Sequence, residues 1–325
     1  MKKILVLILG TSLLLTACGG GVKAAPEPTF TITALPSPTK TATATTTPTL
    51  TPTPTITLTP TLTRVHQGPD AVTVPILLYH RIDISPIGSQ YYVPPEKFEA
   101  QMKLLYDWEY TVISTQMLVD AIKEGADLPP RPVIITFDDG DISVYKTAFP
   151  ILQKYGLTGV VYIVGNYMGT EGYMSAAQIK ELVAAGWEVG SHSRSHRDLT
   201  KLEPAVQRVE VVEARKVLQK ATGSPVLTFA YPYGIMSPSV ADYAHFAGYI
   251  AAMGLGFTSD QGNSNLFWLQ RRDVKGEYDI KQFAGSLPWQ GDPALMPLDT
   301  PTPTLTSSRT PVPTYTLFPT STTQP

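Results

Sequence analysis

From residue 74 to residue 253 the chain alternates short apolar runs with longer stretches whose apolar positions recur at the helical period. The short runs predict strands over 74–79, 111–114, 133–137, 160–164, 227–230 and 249–253. A further short strand starts at Glu188 and runs into a turn at His192. The longer stretches predict helices over 95–108, 115–124, 142–155, 175–185, 203–221 and 237–246. Val133, Ile134 and Ile135 are apolar without alternation, the pattern of a strand covered on both faces. Strands and helices in this order imply an α/β fold with a parallel sheet, here an incomplete barrel.

The flanks have a different composition. Lys2 and Lys3 precede an apolar run from Ile4 to Leu15. That run falls short of the ~20 residues that cross a bilayer comfortably, and it reads as a targeting segment. It ends in Leu15-Thr16-Ala17-Cys18, which looks like a bacterial lipobox. The expectation is a lipoprotein signal peptide over 1–17, removed before a lipidated Cys18. The exported protein is then held to the membrane by that lipid, at the cell surface or in the envelope. An ordinary signal peptide with an incidental cysteine is the alternative. Cys18 is the only cysteine, so no intrachain disulfide can form. Residues 18–70 and 297–325 are dominated by Thr and Pro and have little apolar surface to bury. They are expected to be a disordered linker and a disordered tail around a domain over 71–296. About 220 residues suffice for one core. A net charge of −2 points to neither nucleic acid nor a bulk acidic partner, and a monomer is expected.

Candidate chemistry collects at strand ends. The 133–137 strand runs into Asp138-Asp139-Gly140, at the C-terminal end where parallel sheets and barrels gather reactive groups. Adjacent carboxylates repel unless a cation neutralises them. One reading is a turn followed by a helix capped by Asp141. The other is one aspartate on a metal ion and one acting as a base. His192 and His196 favour the second. If a helical turn begins at Ser193, both rings lie on one face about 5–6 Å apart, close enough to share one ion. Two histidines and a carboxylate with room for water form a catalytic metal set, and Zn2+ suits it best. His80 also ends a strand, whereas His66 and His245 carry no comparable signal.

Thr136-Phe137-Asp138-Asp139-Gly140, His192-Ser193-x-x-His196, and Phe229-Ala230-Tyr231-Pro232-Tyr233-Gly234 occur in one order along the chain. Together they resemble the three motifs of the polysaccharide deacetylases, the NodB-homology or family-4 carbohydrate esterases. The likeness covers about 74–283 and says nothing of either flank. It implies a distorted (β/α)7-type barrel. It assigns the metal to Asp139, His192 and His196, the general base to Asp138 and the oxyanion donor to the backbone N–H of Tyr233, with Tyr231 and Pro232 beside it in the substrate-binding motif. Leu78-Tyr79-His80 resembles the circularly permuted members, in which the general-acid histidine opens the domain; a structural His80 is the alternative.

The third motif departs from the family form, with Ala230 where an arginine would stand. Arg271 or Arg272, on an expected strand over 267–274, would replace it in orienting the base, and Arg271 matches the permuted pattern better. The implied substrate is an N-acetylated glycan polymer: poly-N-acetylglucosamine, a chitin-like chain or peptidoglycan. Tyr231, Tyr233 and one of Trp187, Trp268 or Trp289 are candidate sugar platforms. A surface carbohydrate-binding lipoprotein without turnover and an O-acetyl esterase on the same fold are the competing readings.

Overall fold

A computed structural model describes residues 63–295. The signal peptide, Cys18, most of the linker and the tail lie outside the described residues. The strands are β1 (Val65–Gln67), β2 (Ala71–Thr73), β3 (Ile76–Tyr79), β4 (Thr111–Val112), β5 (Ala126–Leu128), β6 (Pro132–Phe137), β7 (Val160–Ile163), β8 (Glu188–Ser191), β9 (Val226–Ala230), β10 (Ala251–Met253), β11 (Asp260–Gly262) and β12 (Arg272–Asp273). The α-helices are α1 (Pro95–Asp107), α2 (Thr115–Glu124), α3 (Phe149–Lys154), α4 (Ala176–Ala184), α5 (Pro204–Arg208), α6 (Ala214–Thr222), α7 (Pro238–Phe246) and α8 (Ile280–Gly285).

The main sheet runs β10-β9-β8-β7-β6-β3-β12, and its neighbours pair in parallel. Its two edges are tied by the segment before β12. Leu269 N donates to Ala252 O at 2.9 Å, Gly254 N to Leu269 O at 2.8 Å, and Met253 and Leu269 form a parallel bridge. The same segment then enters β12 and pairs with β3. The result is a curled, distorted (β/α)7-type barrel, in which the strand expected over 267–274 is regular only at Arg272–Asp273.

Strand periodicity decides what the barrel contains. Along β6, Val133, Ile135 and Phe137 belong to the outer core with Tyr79, Phe98 and Trp187. Ile134 belongs to a second core with Ile76, Tyr162, Ala230 and Met253. Alternate residues therefore serve two cores, which is why these strands read as unbroken apolar runs. Each fully buried side chain of this size contributes about 1.5–3 kcal/mol. The apolar face of α2, with Leu118, Val119 and Ile122, completes the inner core. Gly190 permits the close approach of Tyr162, whose ring would lie 2.2 Å from any Cβ at that position.

Some local expectations change. β1 pairs antiparallel with β5, so regular structure begins inside the stretch read as linker. β11 pairs with β2. These strands are too short to show a period, and their partners are remote in sequence. The helices read over 142–155 and 203–221 contain π-helical turns at Val144–Ala148 and Val209–Glu213. No helix among the described residues is long and apolar enough to cross a membrane.

Candidate active site

The barrel mouth is where the inward positions of several strands run out. In β6 the inward series is Ile134 and Thr136, and its next member is Asp138. In β3 it is Ile76 and Leu78, then His80. In β8 it is Gly190, then His192, whose N–H extends the ladder by donating to Ile163 O at 2.9 Å. Leu78 pairs with Thr136, so His80 and Asp138 leave the sheet side by side. A cleft of ≈ 220 Å³ is lined by His80, Asp138, Asp139, His192, His196 and Tyr233, among others.

Asp139, His192 and His196 offer ligand atoms within 4.8 Å of one another. His196 Nε2 is 3.4 Å and His192 Nε2 3.8 Å from Asp139 Oδ1. Ligands ~2.1 Å from a tetrahedral ion stand roughly 3.4 Å apart, so these residues fit a divalent ion almost without movement. Asp139 Oδ1 is buried without a hydrogen-bond partner, as a ligand oxygen without its ion would be. His192 Nδ1 lies 2.8 Å from Ala230 O. A carbonyl only accepts, so Nδ1 carries the proton and the Nε2 lone pair faces the site. Burial, followed by His192, lowers the pKa of His196 against the opposing pull of Asp139 and Asp138, which favours the neutral ring that binds metals.

The histidine loop is not the helical turn expected after His192. Ser193 and His196 have φ of 64° and 56°, in the left-handed region. Glu210, on the π-helical turn, holds this bend. It accepts from Arg194 N, from Ser195 N at 2.8 Å and from Ser195 Oγ at 2.5 Å. The two rings still meet, with centroids 4.8 Å apart. Asp139 is also bent back, at φ 72°. Its carboxylate lies 3.6 Å from Arg81, which donates to Asp141 at 2.9 Å.

Asp138 faces the other way, into the barrel. Arg271 grips both its oxygens, at 2.6 and 2.8 Å, and is itself 1% exposed. The Arg271 side chain also donates to Gly254 O and lies over the Tyr162 ring. Burial alone would raise the Asp138 carboxyl, but Arg271, with His192 and His80, outweighs it and holds the pKa at about 2. Of the two candidate arginines, Arg271 is the one beside Asp138, while Arg272 donates to Phe257 O.

Arg81, Asp273 and Glu210 were not singled out from the sequence. Asp273 interacts electrostatically with His80, and its pKa is raised because burial outweighs the pull of His80, Lys275 and Arg271. Its spacing two residues after Arg271 was the available signal; nothing local marks Glu210. His80 Nδ1 is buried without a partner, and its ring lies 4.7 Å from that of Tyr91.

Within the third motif Tyr233 and Gly234 line the cleft, and Tyr233 is the one that brings a side chain to it. It is 57% exposed with φ 59°, and its ring lies 4.7 Å from that of His196. Tyr231 and Pro232, expected beside the substrate, are buried and do not line this cleft. Tyr231 packs on Phe229 and Trp268 and donates to Phe267 O. The tryptophans are not platforms in this cleft either: Trp187 stacks on Phe137 in the core, and Trp289 packs on Tyr110.

The family model described as "Polysaccharide deacetylase" matches residues 125–252. A poly-β-1,6-N-acetyl-D-glucosamine N-deacetylase of Staphylococcus aureus is 28% identical over 212 residues, covering 60% of this chain and 73% of that protein. Matches to curated relatives span from 65% to 73% of their lengths. Among solved structures, a Bacillus anthracis chain assigned to the polysaccharide deacetylases is 30% identical, with TM-score 0.61, covering 67% of this chain and 69% of that one. The Streptococcus pyogenes deacetylase PplD in complex with acetate is 25% identical, with TM-score 0.63, covering 66% of this chain and 98% of that one.

Proposed function

The chain belongs to the polysaccharide deacetylase family, and from that premise we propose that it hydrolyses N-acetyl groups of an extracellular N-acetylglucosamine-containing polysaccharide. The observation that carries the reading is the Asp139 carboxylate oxygen, buried without a hydrogen-bond partner between two imidazole nitrogens, with a second carboxylate alongside. A ligand-binding protein has no use for a base beside a metal set.

Asp139, His192 and His196 would hold a divalent ion, and their N2O donor set suits Zn2+. Such an ion would polarise the acetyl carbonyl and lower the pKa of the attacking water, which matters because a carboxylate held at about 2 is by itself a weak base. Asp138 takes the proton from that water as it adds to the carbonyl carbon. Arg271 fixes the carboxylate in place. The backbone N–H of Tyr233 donates to the oxygen on which charge develops. His80, electrostatically linked to Asp273, gives a proton to the sugar nitrogen as the C–N bond breaks. The products are acetate and a free amine on the sugar.

The Staphylococcus aureus relative supports poly-N-acetylglucosamine as the polymer. The lipobox supports a lipoprotein held by Cys18 at the cell surface, a proposal that mass spectrometry of the native N-terminus tests. Activity is tested by acetate release from β-linked N-acetylglucosamine oligomers with and without chelator. Release that chelation abolishes and Zn2+ restores is expected. Binding without release, or release from O-acetyl esters alone, would overturn the reading.

A further inference from the structure

A second groove, of ≈ 630 Å³, opens beside the catalytic cleft and shares Leu255, Arg271 and Asp273 with it. Its other walls include Phe257, Arg272, Lys275 and Tyr278. Its charges are unbalanced. Arg271 is neutralised by Asp138, and Asp273 interacts with His80. Lys275 donates to Gln90 at 2.8 Å and acts electrostatically on Asp273 as well. Arg272 makes no ion pair among the described residues; its terminal NH2 donates to a carbonyl, Phe257 O, and its Nε is buried without a partner. Burial lowers its pKa from the ordinary guanidinium value, the signature of a cation desolvated without a counter-ion.

The apolar wall is equally specific. Phe257 is 88% exposed. Single exposed apolar residues are ordinary, but this one stands on clamped backbone. Gln270 accepts its N–H at 3.3 Å, Arg272 donates to its C=O, and Gly256 N donates to Arg271 O at 3.0 Å. An exposed aromatic face beside a guanidinium that has no carboxylate partner is complementary to a sugar ring that carries a carboxylate.

We propose that this groove is a subsite for the sugar next to the one deacetylated, and that it selects a sugar bearing a carboxylate, which Arg272 and Lys275 receive while Phe257 packs on the ring. The inference rests on the deacetylase reading and departs from its poly-N-acetylglucosamine assignment at one place, the neighbouring sugar, where an acidic residue is selected over a neutral one.

The test compares a neutral N-acetylglucosamine oligomer with one of equal length carrying a carboxylate on the neighbouring sugar. Both are followed by acetate release and, independently, by calorimetric binding to the zinc-loaded protein. The acidic oligomer is expected to have a kcat/KM roughly tenfold higher, as one favourable charge-assisted contact of ~1.4 kcal/mol gives. The ratio should fall toward one in Arg272→Gln and survive largely in Arg272→Lys, with thermal melts checking that both variants fold. Phe257→Ala should weaken binding of both oligomers. Rising salt should erode affinity for the acidic oligomer only. Equal handling of the two oligomers by the unmodified protein, or an unchanged ratio in Arg272→Gln, overturns the subsite. Should neither oligomer release acetate, the deacetylase reading fails, and the calorimetric ratio alone decides the subsite.

Discussion

Asp138 and Asp139 are neighbours in the chain and opposites in surroundings. Asp138 is buried and gripped by Arg271, whereas Asp139 turns out at positive φ toward two imidazoles. Their substitutions should separate. Asp138→Asn should keep the metal and lose turnover by a factor of about 10²–10⁴, the usual worth of a general base. Asp139→Ala should lose the metal itself. Metal content and kcat measured together check this, and equal metal loss in both would mean that the roles are exchanged. The low pKa of Asp138 also has a stability consequence. A carboxyl at about 2 in the fold and ~3.9 unfolded binds fewer protons when folded. Its stabilising contribution is complete above ~pH 4 and is lost as pH falls toward 2. Acid unfolding of the metal-free protein should be steeper across that window than that of Asp138→Asn, whose cost of about 3–5 kcal/mol from an unpaired buried Arg271 is present at neutral pH already.

At the scale of elements, two loops set the geometry of the candidate metal ligands, and the histidine loop is braced by a π-helical turn. Glu210 gathers the Arg194 and Ser195 donors and so fixes the bend that brings His196 to Asp139. Glu210→Ala leaves those donors unmet, at about 1–3 kcal/mol. Loosening a ligand's support in this way should weaken metal affinity by about 10–100-fold. A metal titration of that variant, with circular dichroism to confirm the fold, checks it. The sheet has its own close fit. Gly190→Ala sets a methyl group against the Tyr162 ring and should cost at least about 1–3 kcal/mol, read as a lower melting temperature.

At the scale of the molecule, the barrel converges strand ends that are far apart in sequence on one cleft. An ion bound there by groups from the β6 and β8 ends links those parts of the fold. At a hundredfold excess over Kd, Zn2+ should stabilise the native state by ~2.7 kcal/mol and raise the melting temperature, and a chelator should reverse the shift. No zinc-dependent shift in the native protein, with a normal shift in a known zinc enzyme run alongside, would leave the ligand set without an ion.

Much of this was legible beforehand, for physical reasons that differ with the feature. The β3, β6 and β7 strands and α2 were readable because burial on two faces and a helical stripe each leave a period in the sequence. Asp138, Asp139, His192, His196 and His80 were readable because strand ends are where a parallel barrel exposes polar groups. Tertiary structure alone decided the rest. Arg271 reaches Asp138 only because the segment before β12 ties β10 to β3. Tyr231 is buried because its side chain packs on Phe229 and Trp268. Glu210 shapes the histidine loop through contacts formed only when the chain folds back. Local periods report which face of an element is covered. They do not report which distant side chain covers it, because that is set by the closure of the whole sheet.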